Sequence, residues 1–239
     1  MNDTPAPSWL ITAGQFFFRH RSWTPIPFML LLVLCTFRQT ERDLVTWLPG
    51  LLLIAAGEGT RLWGVAIIGK ESRTRGSGVA RIVSDGPYAS VRNPLYVGNF
   101  LLTLGMTFVS EVLWMVPVSA GLFFIQYVPI VAWEEQTLAD RFGAPYAAYC
   151  RRVPRWIPRW RPRPIGAPRP AYQWRAAFKS ERSTFWAVAV LLVFMVMKEQ
   201  IGRVPNYVRK HTRRAAAARQ QAASPWGPTP FGTRPEERS

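Results

Sequence analysis

Four stretches of the chain are almost continuously apolar: residues 26 to 37, 44 to 69, 95 to 132 and 184 to 197. About 20 apolar residues cross a bilayer core as a helix, and lipid penalises unpaired backbone groups, so these runs predict membrane helices. The run at 95 to 132 is too long for one crossing. A turn at Ser110 and Glu111, near its middle, would fold it into a helical hairpin. Residues 8 to 18 are apolar but short and end at Arg19, His20 and Arg21, which predicts an interfacial helix or an extra half-span. Pro25 and Pro27 then open the first span. The expected fold is an all-α integral membrane protein of about five membrane helices, spans three and four forming the hairpin.

The intervening segments are polar, and 151 to 182 and 203 to 239 are rich in Arg and Pro. The chain has 239 residues, 49% of them hydrophobic, and a mean hydropathy of 0.00 that averages these two kinds of segment. Its net charge is +16. Because the arginines flank apolar runs and no folded nucleic-acid module is visible, the charge points to membrane orientation and anionic headgroups, not to nucleic acid. The loop at 70 to 92 and the segment 151 to 175 are the strongest Arg clusters before the last apolar run. A hairpin between them puts both on the cytoplasmic side of what would be a bacterial inner membrane. The run at 184 to 197 reads equally as a crossing or as a shallow helix.

The expected organisation is an interfacial helix and first span over 1 to 43, a core over 44 to 162, a basic connector and last apolar helix over 163 to 210, and a disordered basic tail over 211 to 239. Cys35 and Cys150 are far apart and match no metal spacing, so two free thiols are expected. The first residues lack a basic segment followed by an apolar core and a small-residue cleavage site, so no removable signal peptide is expected.

Four groups of residues could carry chemistry. Glu58 and Arg61, flanked by Gly57 and Gly59, lie three apart on one face of the second span; they form either a functional pair or an ion pair that locks packing. Arg92, Asn93, Pro94, Leu95, Tyr96 and Gly98 open the third span. Pro94 suits a first helical turn, Asn93 suits the cap before it, and the free N–H groups there suit an anion that Arg92 could grip bidentately. Glu134 and Glu135 close the fourth span, and adjacent acids on a helix point about 100° apart, so they divide between tasks. Tyr146, Tyr149, Arg151 and Arg152 follow on a segment that would lie at headgroup depth, where substrate headgroups could meet it. Simple capping, helix-end solvation or interfacial anchoring accounts for each group taken singly.

Their order is more telling. A glycine-rich polar span, Gly86-Pro87-Tyr88, Arg92-Asn93-Pro94-x-Tyr96-x-Gly98, Glu134-Glu135, Phe142-Gly143-x-x-Tyr146-x-x-Tyr149 and Val153-Pro154-Arg155 together resemble the integral-membrane methyltransferases. That superfamily includes isoprenylcysteine carboxyl methyltransferases and phospholipid N-methyltransferases, and the resemblance covers roughly residues 44 to 158. It implies a helical membrane enzyme using S-adenosylmethionine, with a cytosol-facing cofactor pocket and a lipid-facing substrate entrance. The cofactor residues it implies are Gly57, Gly59, Tyr88, Asn93, Pro94, Leu95, Tyr96, Gly98, Glu134 and Glu135, with Arg92, Asn93, Tyr96 and Glu134 at the chemistry. Asn93 looks more like the phospholipid branch, because the isoprenylcysteine branch has His there. The acceptor expected is therefore a phospholipid amine or another lipophilic molecule. The alternatives are a carboxyl or thiol acceptor, and a non-catalytic transport or assembly protein whose polar spans only lock packing.

Overall fold

A computed structural model describes residues 7–37, 39–40, 43–68, 82–159 and 172–222. The Arg-rich loop at 69–81, residues 160–171 and the tail beyond 222 lie outside the described residues. Among those described the chain is helical without strands: α1 (Ser8–His20), α2 (Ile26–Leu34), α3 (Asp43–Ile68), α4 (Pro87–Ser90), α5 (Pro94–Val109), a 3-10 turn (Leu113–Met115), α6 (Val116–Phe142), α7 (Ala144–Arg152) and α8 (Trp174–Ala222). The chain divides into two compact units, residues 1–195 and 196–239. The second unit carries the remainder of α8.

Among the described residues, three helical segments are long and apolar enough to cross a membrane: Val45–Ile68, Leu113–Phe142 and Trp174–Gln200. Together with their exposed apolar flanks, such as Leu51, Leu52, Ile125 and Val193, they make this an integral membrane protein. The expectation of about five spans is not confirmed among the described residues. α2 has only 9 residues because Pro25 starts it and the backbone turns extended at Cys35, so its length, about 13 Å, falls short of a bilayer core. α5, at 16 residues, is also short. The last helix begins at Trp174, ten residues before its apolar run, and carries Glu181 inside it.

The packing of α3 on α5 follows from glycine spacing. Gly50, Gly57 and Gly64 recur every seven residues on α3, and Gly98 and Gly105 do so on α5. A Cβ at Gly57 would meet the Gly98 carbonyl oxygen at 2.8 Å, and one at Gly105 would meet that of Gly50 at 2.8 Å. The two helices therefore run antiparallel with their backbones in close approach, the arrangement small residues permit in lipid. α5 ends at Val109, and the chain turns at Ser110 and Glu111, the latter at φ 64. Trp47 on α3 donates its indole N–H to the Glu111 carboxylate at 3.2 Å, holding that left-handed residue in place. α6 then returns alongside α5, pairing Thr107 with Ser119 at 2.7 Å and Tyr96 with Tyr127 at 5.0 Å between ring centres. Below this pair, Leu32, Ile54, Leu102, Met106, Val109, Val112, Met115 and Met195 form an apolar core that joins α2, α3, α5 and α8.

Candidate active site

At the opposite end of the α3–α5–α6 layer lies a cavity of about 520 Å³. Its size suits one small organic ligand. The start of α5 enters it through Arg92, Asn93, Pro94, Leu95, Tyr96 and Asn99; the end of α6 through Glu134, Glu135, Thr137 and Leu138; α4 and α7 through Tyr88, Tyr146 and Tyr149. Gly86, at φ 55, makes the turn that brings α4 under α3, a conformation glycine adopts without strain.

The two adjacent glutamates divide their tasks. Glu135 is held by two cations: Arg92 Nη1 lies 3.0 Å from its Oε1, and Arg155, on the connector segment 153–159 that follows α7, donates to both of its oxygens. The hydrogen bonds from Arg155 to Glu135 raise the Arg155 pKa above its ordinary value. Glu134 has no arginine in ion-pair distance among the described residues and accepts a hydrogen bond from the Tyr96 hydroxyl. It is the cavity's uncommitted carboxylate.

The turn at Arg92 is built differently from the expectation. Asn93 does precede α5, but its side chain makes no capping bond; it donates instead to the Arg155 carbonyl at 3.3 Å. The Arg92 amide donates to Pro154, and that of Arg159 to Ser90, both at 2.9 Å, so the connector is laced to this turn by its backbone. Arg92 is likewise not free for an external anion, since Glu135 already occupies it. Its Nε, however, is buried without a partner, as is the Tyr88 hydroxyl. Both orphaned donors belong to residues that line the cavity. Burial, then Tyr149 and Glu134, push the Tyr88 phenol well above its usual range, so it stays protonated and able to donate. Burial does the same to Tyr146 and Tyr149, and Tyr149 donates to the Tyr88 carbonyl at 2.8 Å.

Other expected residues fall elsewhere. Gly57 is packed against α5, and Gly59 faces outward with nothing within 4 Å of a Cβ built on it, so neither lines the cavity. Gly98 also serves packing: a Cβ there would meet Arg61 Cγ at 2.6 Å. Arg151 and Arg152 are exposed at the C-terminal end of α7, where cations complement the helix dipole. Glu58 and Arg61 do not form the expected pair. Arg61 crosses over Gly98 and bonds Asn99 on α5 and Glu181 on α8, while Glu58 stays buried with both carboxyl oxygens unpartnered. Asn99 in turn donates to the Tyr127 hydroxyl at 3.0 Å, and Thr184 donates to Glu181 at 3.2 Å.

Asn99, Tyr127, Glu181 and Thr184 were missed because their partners are distant in sequence, although polar groups at membrane depth are a signal by themselves. Arg21 and Ser22, which follow α1, also line the cavity; in the sequence Arg21 marks only the polar end of the short apolar stretch at 8 to 18.

A family model described as phospholipid methyltransferase matches residues 45–145, the segment from α3 into α7. The likeness to the integral-membrane S-adenosylmethionine-dependent methyltransferase superfamily holds over that segment. The cobalt-zinc-cadmium resistance protein CzcN of Cupriavidus metallidurans is 35% identical over 119 residues, 47% of this chain and 51% of that protein. The nickel-cobalt-cadmium resistance protein NccN of Alcaligenes xylosoxydans xylosoxydans is 29% identical over 160 residues, 64% of this chain and 70% of that protein. The chain thus spans about half the length of the first relative. No solved structure matches.

Proposed function

From the likeness of residues 45–145 to phospholipid methyltransferases, we propose that this membrane protein transfers a methyl group from S-adenosylmethionine to a lipophilic acceptor, a phospholipid amine first among them. The observation that carries this reading is the cavity in which Glu134, Tyr88, Tyr96 and Arg92 converge, all within the matched segment. The residues fit the cofactor's chemistry: an uncommitted carboxylate and aromatic rings suit a cation, and the orphaned donors of Tyr88 and Arg92 suit its polar groups.

S-adenosylmethionine, when bound, supplies an electrophilic methyl on a sulfonium; methylating an amine breaks that S–C bond, forms an N–C bond and releases a neutral thioether and one proton. Glu134 would lie toward the positive charge of the bound cofactor and would be the carboxylate to take the proton. Tyr96, donating to Glu134, fixes its orientation. The Arg92–Glu135–Arg155 cluster holds the ends of α5 and α6 together with the connector. Holding the acceptor nitrogen in line with the methyl would supply the rest of the rate. In this reading the cavity faces the cytosol, and the exposed Arg151, Arg152 and Arg159 hold anionic headgroups near its mouth.

A second reading is a membrane protein that supports metal resistance without catalysis, favoured by the likeness to the two metal-resistance proteins. Calorimetry with S-adenosylmethionine on detergent-purified protein separates the two. Saturable binding that Glu134→Ala abolishes is expected; a wild-type protein that takes no cofactor sinks the methyltransferase reading.

A further inference from the structure

The cavity has a wall that the family match does not include. α1 precedes residue 45, yet Phe18 at its end and Arg21 and Ser22 just beyond it line the same space as Glu134. Their position is set by packing. A Cβ at Gly14 would overlap the Pro129 carbonyl and approach Trp133 Cβ to 2.7 Å, so α1 lies tight against α6. The Phe18 ring then packs, tilted, with its centre 4.7 Å from that of Trp133, the residue before Glu134. Over the Phe18 ring, 4.0 Å from its centre, sits the Arg21 guanidinium. This series places a cation next to the α6 turn that carries the free carboxylate, close enough for the two charges to interact.

Among the described residues, three arginines line the cavity. Arg61 is bonded to Glu181 and Arg92 to Glu135. Arg21 has no carboxylate within ion-pair distance among the described residues. Stacking on an aromatic face leaves the guanidinium edge, with its N–H donors, open for a planar bidentate partner. An arginine that only set orientation at the headgroup layer would have no need to line the cavity. Glu134 and Arg21 thus give the cavity one open negative and one open positive group.

We propose, resting on the methyltransferase reading, that Arg21 is the anion-binding residue of this site. It holds an acid group of the ligand, carboxylate or phosphate, while Glu134 faces the cationic part. The acid group has two sources: the carboxylate of the cofactor's amino-acid moiety, or the phosphate of an acceptor headgroup.

Arg21→Gln and Arg21→Lys, checked by size-exclusion chromatography for an unchanged folded peak, test the assignment by binding alone. S-adenosylmethionine and its decarboxylated form are titrated by calorimetry. Dihexanoyl phosphatidylethanolamine and dodecylamine are titrated by tryptophan fluorescence. If the cofactor is the source, Arg21→Gln weakens S-adenosylmethionine about tenfold to a hundredfold, as loss of a charge-assisted hydrogen-bonded pair predicts, and leaves the decarboxylated form unchanged. If the acceptor is the source, the same loss appears for the phospholipid and not for dodecylamine. In either case Arg21→Lys recovers part of the affinity. A wild-type protein that binds phospholipid through Arg21 but takes no cofactor sinks the methyltransferase reading and leaves the anion site standing. Affinities of Arg21→Gln within twofold of wild type for both S-adenosylmethionine and the phospholipid overturn the proposal, as does a wild-type protein that binds neither.

Discussion

Arg61 on α3 bypasses Glu58, three residues before it on the same helix, and forms its ion pair with Glu181 on α8. Gly98 makes this reach possible, because the Arg61 stem lies where any larger residue on α5 would put its Cβ. The pair ties α8, which lies beyond the family-matched segment, to the helix that begins it. Glu181 is 4% exposed, so each charge depends on the other for compensation.

Removing one partner should therefore be costly and removing both much less so. Glu181→Leu is expected to destabilise the protein by about 3–5 kcal/mol, and Arg61→Met by a similar amount. The Arg61→Met/Glu181→Leu double variant should recover most of that loss. Thermal unfolding in detergent reads the cycle. Additive single losses would mean that the two side chains do not act as a pair.

Glu58 is the converse case. It is 8% exposed and both of its carboxyl oxygens lack partners. An unsatisfied buried polar group costs about 1–3 kcal/mol, so Glu58→Leu should raise the unfolding temperature. A marked drop would show that the carboxyl makes a stabilising interaction in the folded protein.

The parts of this structure that were legible in sequence are those governed by local chemistry. Pro94 at the first turn and Asn93 before it placed the start of α5, and the polar clusters from Tyr88 to Tyr149 named the arginine, carboxylates and tyrosines that those segments bring to the cavity. Long-range pairing was not legible. Spacing made Glu58 the obvious partner of Arg61, and only the fold of α8 across α3 supplies Glu181. The same limit hid Arg21, whose position depends on α1 packing against α6 at Gly14 and Phe18. Length was misjudged at α2 because apolar content alone does not show where the backbone leaves the helix.

The two glycines of the polar span separate packing from cofactor binding. Gly57→Ala should cost stability, because its Cβ would press to 2.8 Å on the Gly98 carbonyl and to 3.0 Å on the Leu102 amide nitrogen. Gly59→Ala has open space and should stabilise α3 by up to about 1 kcal/mol through helix propensity. Cofactor affinity of Gly59→Ala should match wild type. A large loss of binding there would place the cofactor against the outer face of α3.

Cys150 on α7 reports the integrity of the lower wall. Burial, the largest influence, raises its thiol pKa, with Glu135 adding to the effect against Arg92. A raised thiol pKa means less thiolate at neutral pH, so maleimide labelling should lag behind a free thiol and accelerate as pH rises past the ordinary thiol range. Cys150→Ser supplies the control. Labelling at the rate of a free thiol at pH 7.5 would mean that α7 does not pack as described.

Glu134 and Glu135 stand one residue apart and should fail in different ways. Glu135 accepts from Arg92 and Arg155 together, and the connector's backbone is bonded to the same turn. Glu135→Gln leaves the buried Arg92 without a charge partner, an expected loss of several kcal/mol, whereas the half-exposed Arg155 contributes little because solvent screens it. The α5 and α6 ends should then separate, and cofactor binding should weaken together with thermal stability. Glu134 has no ion-pair partner to strand, so Glu134→Gln should leave the unfolding temperature nearly unchanged while cofactor affinity falls about tenfold or more, the loss of one charge-assisted contact. Calorimetry and thermal unfolding on the same two preparations separate the effects. If Glu135→Gln loses binding with full stability while Glu134→Gln binds normally, the two roles are reversed, and Glu135 is the carboxylate that meets the ligand.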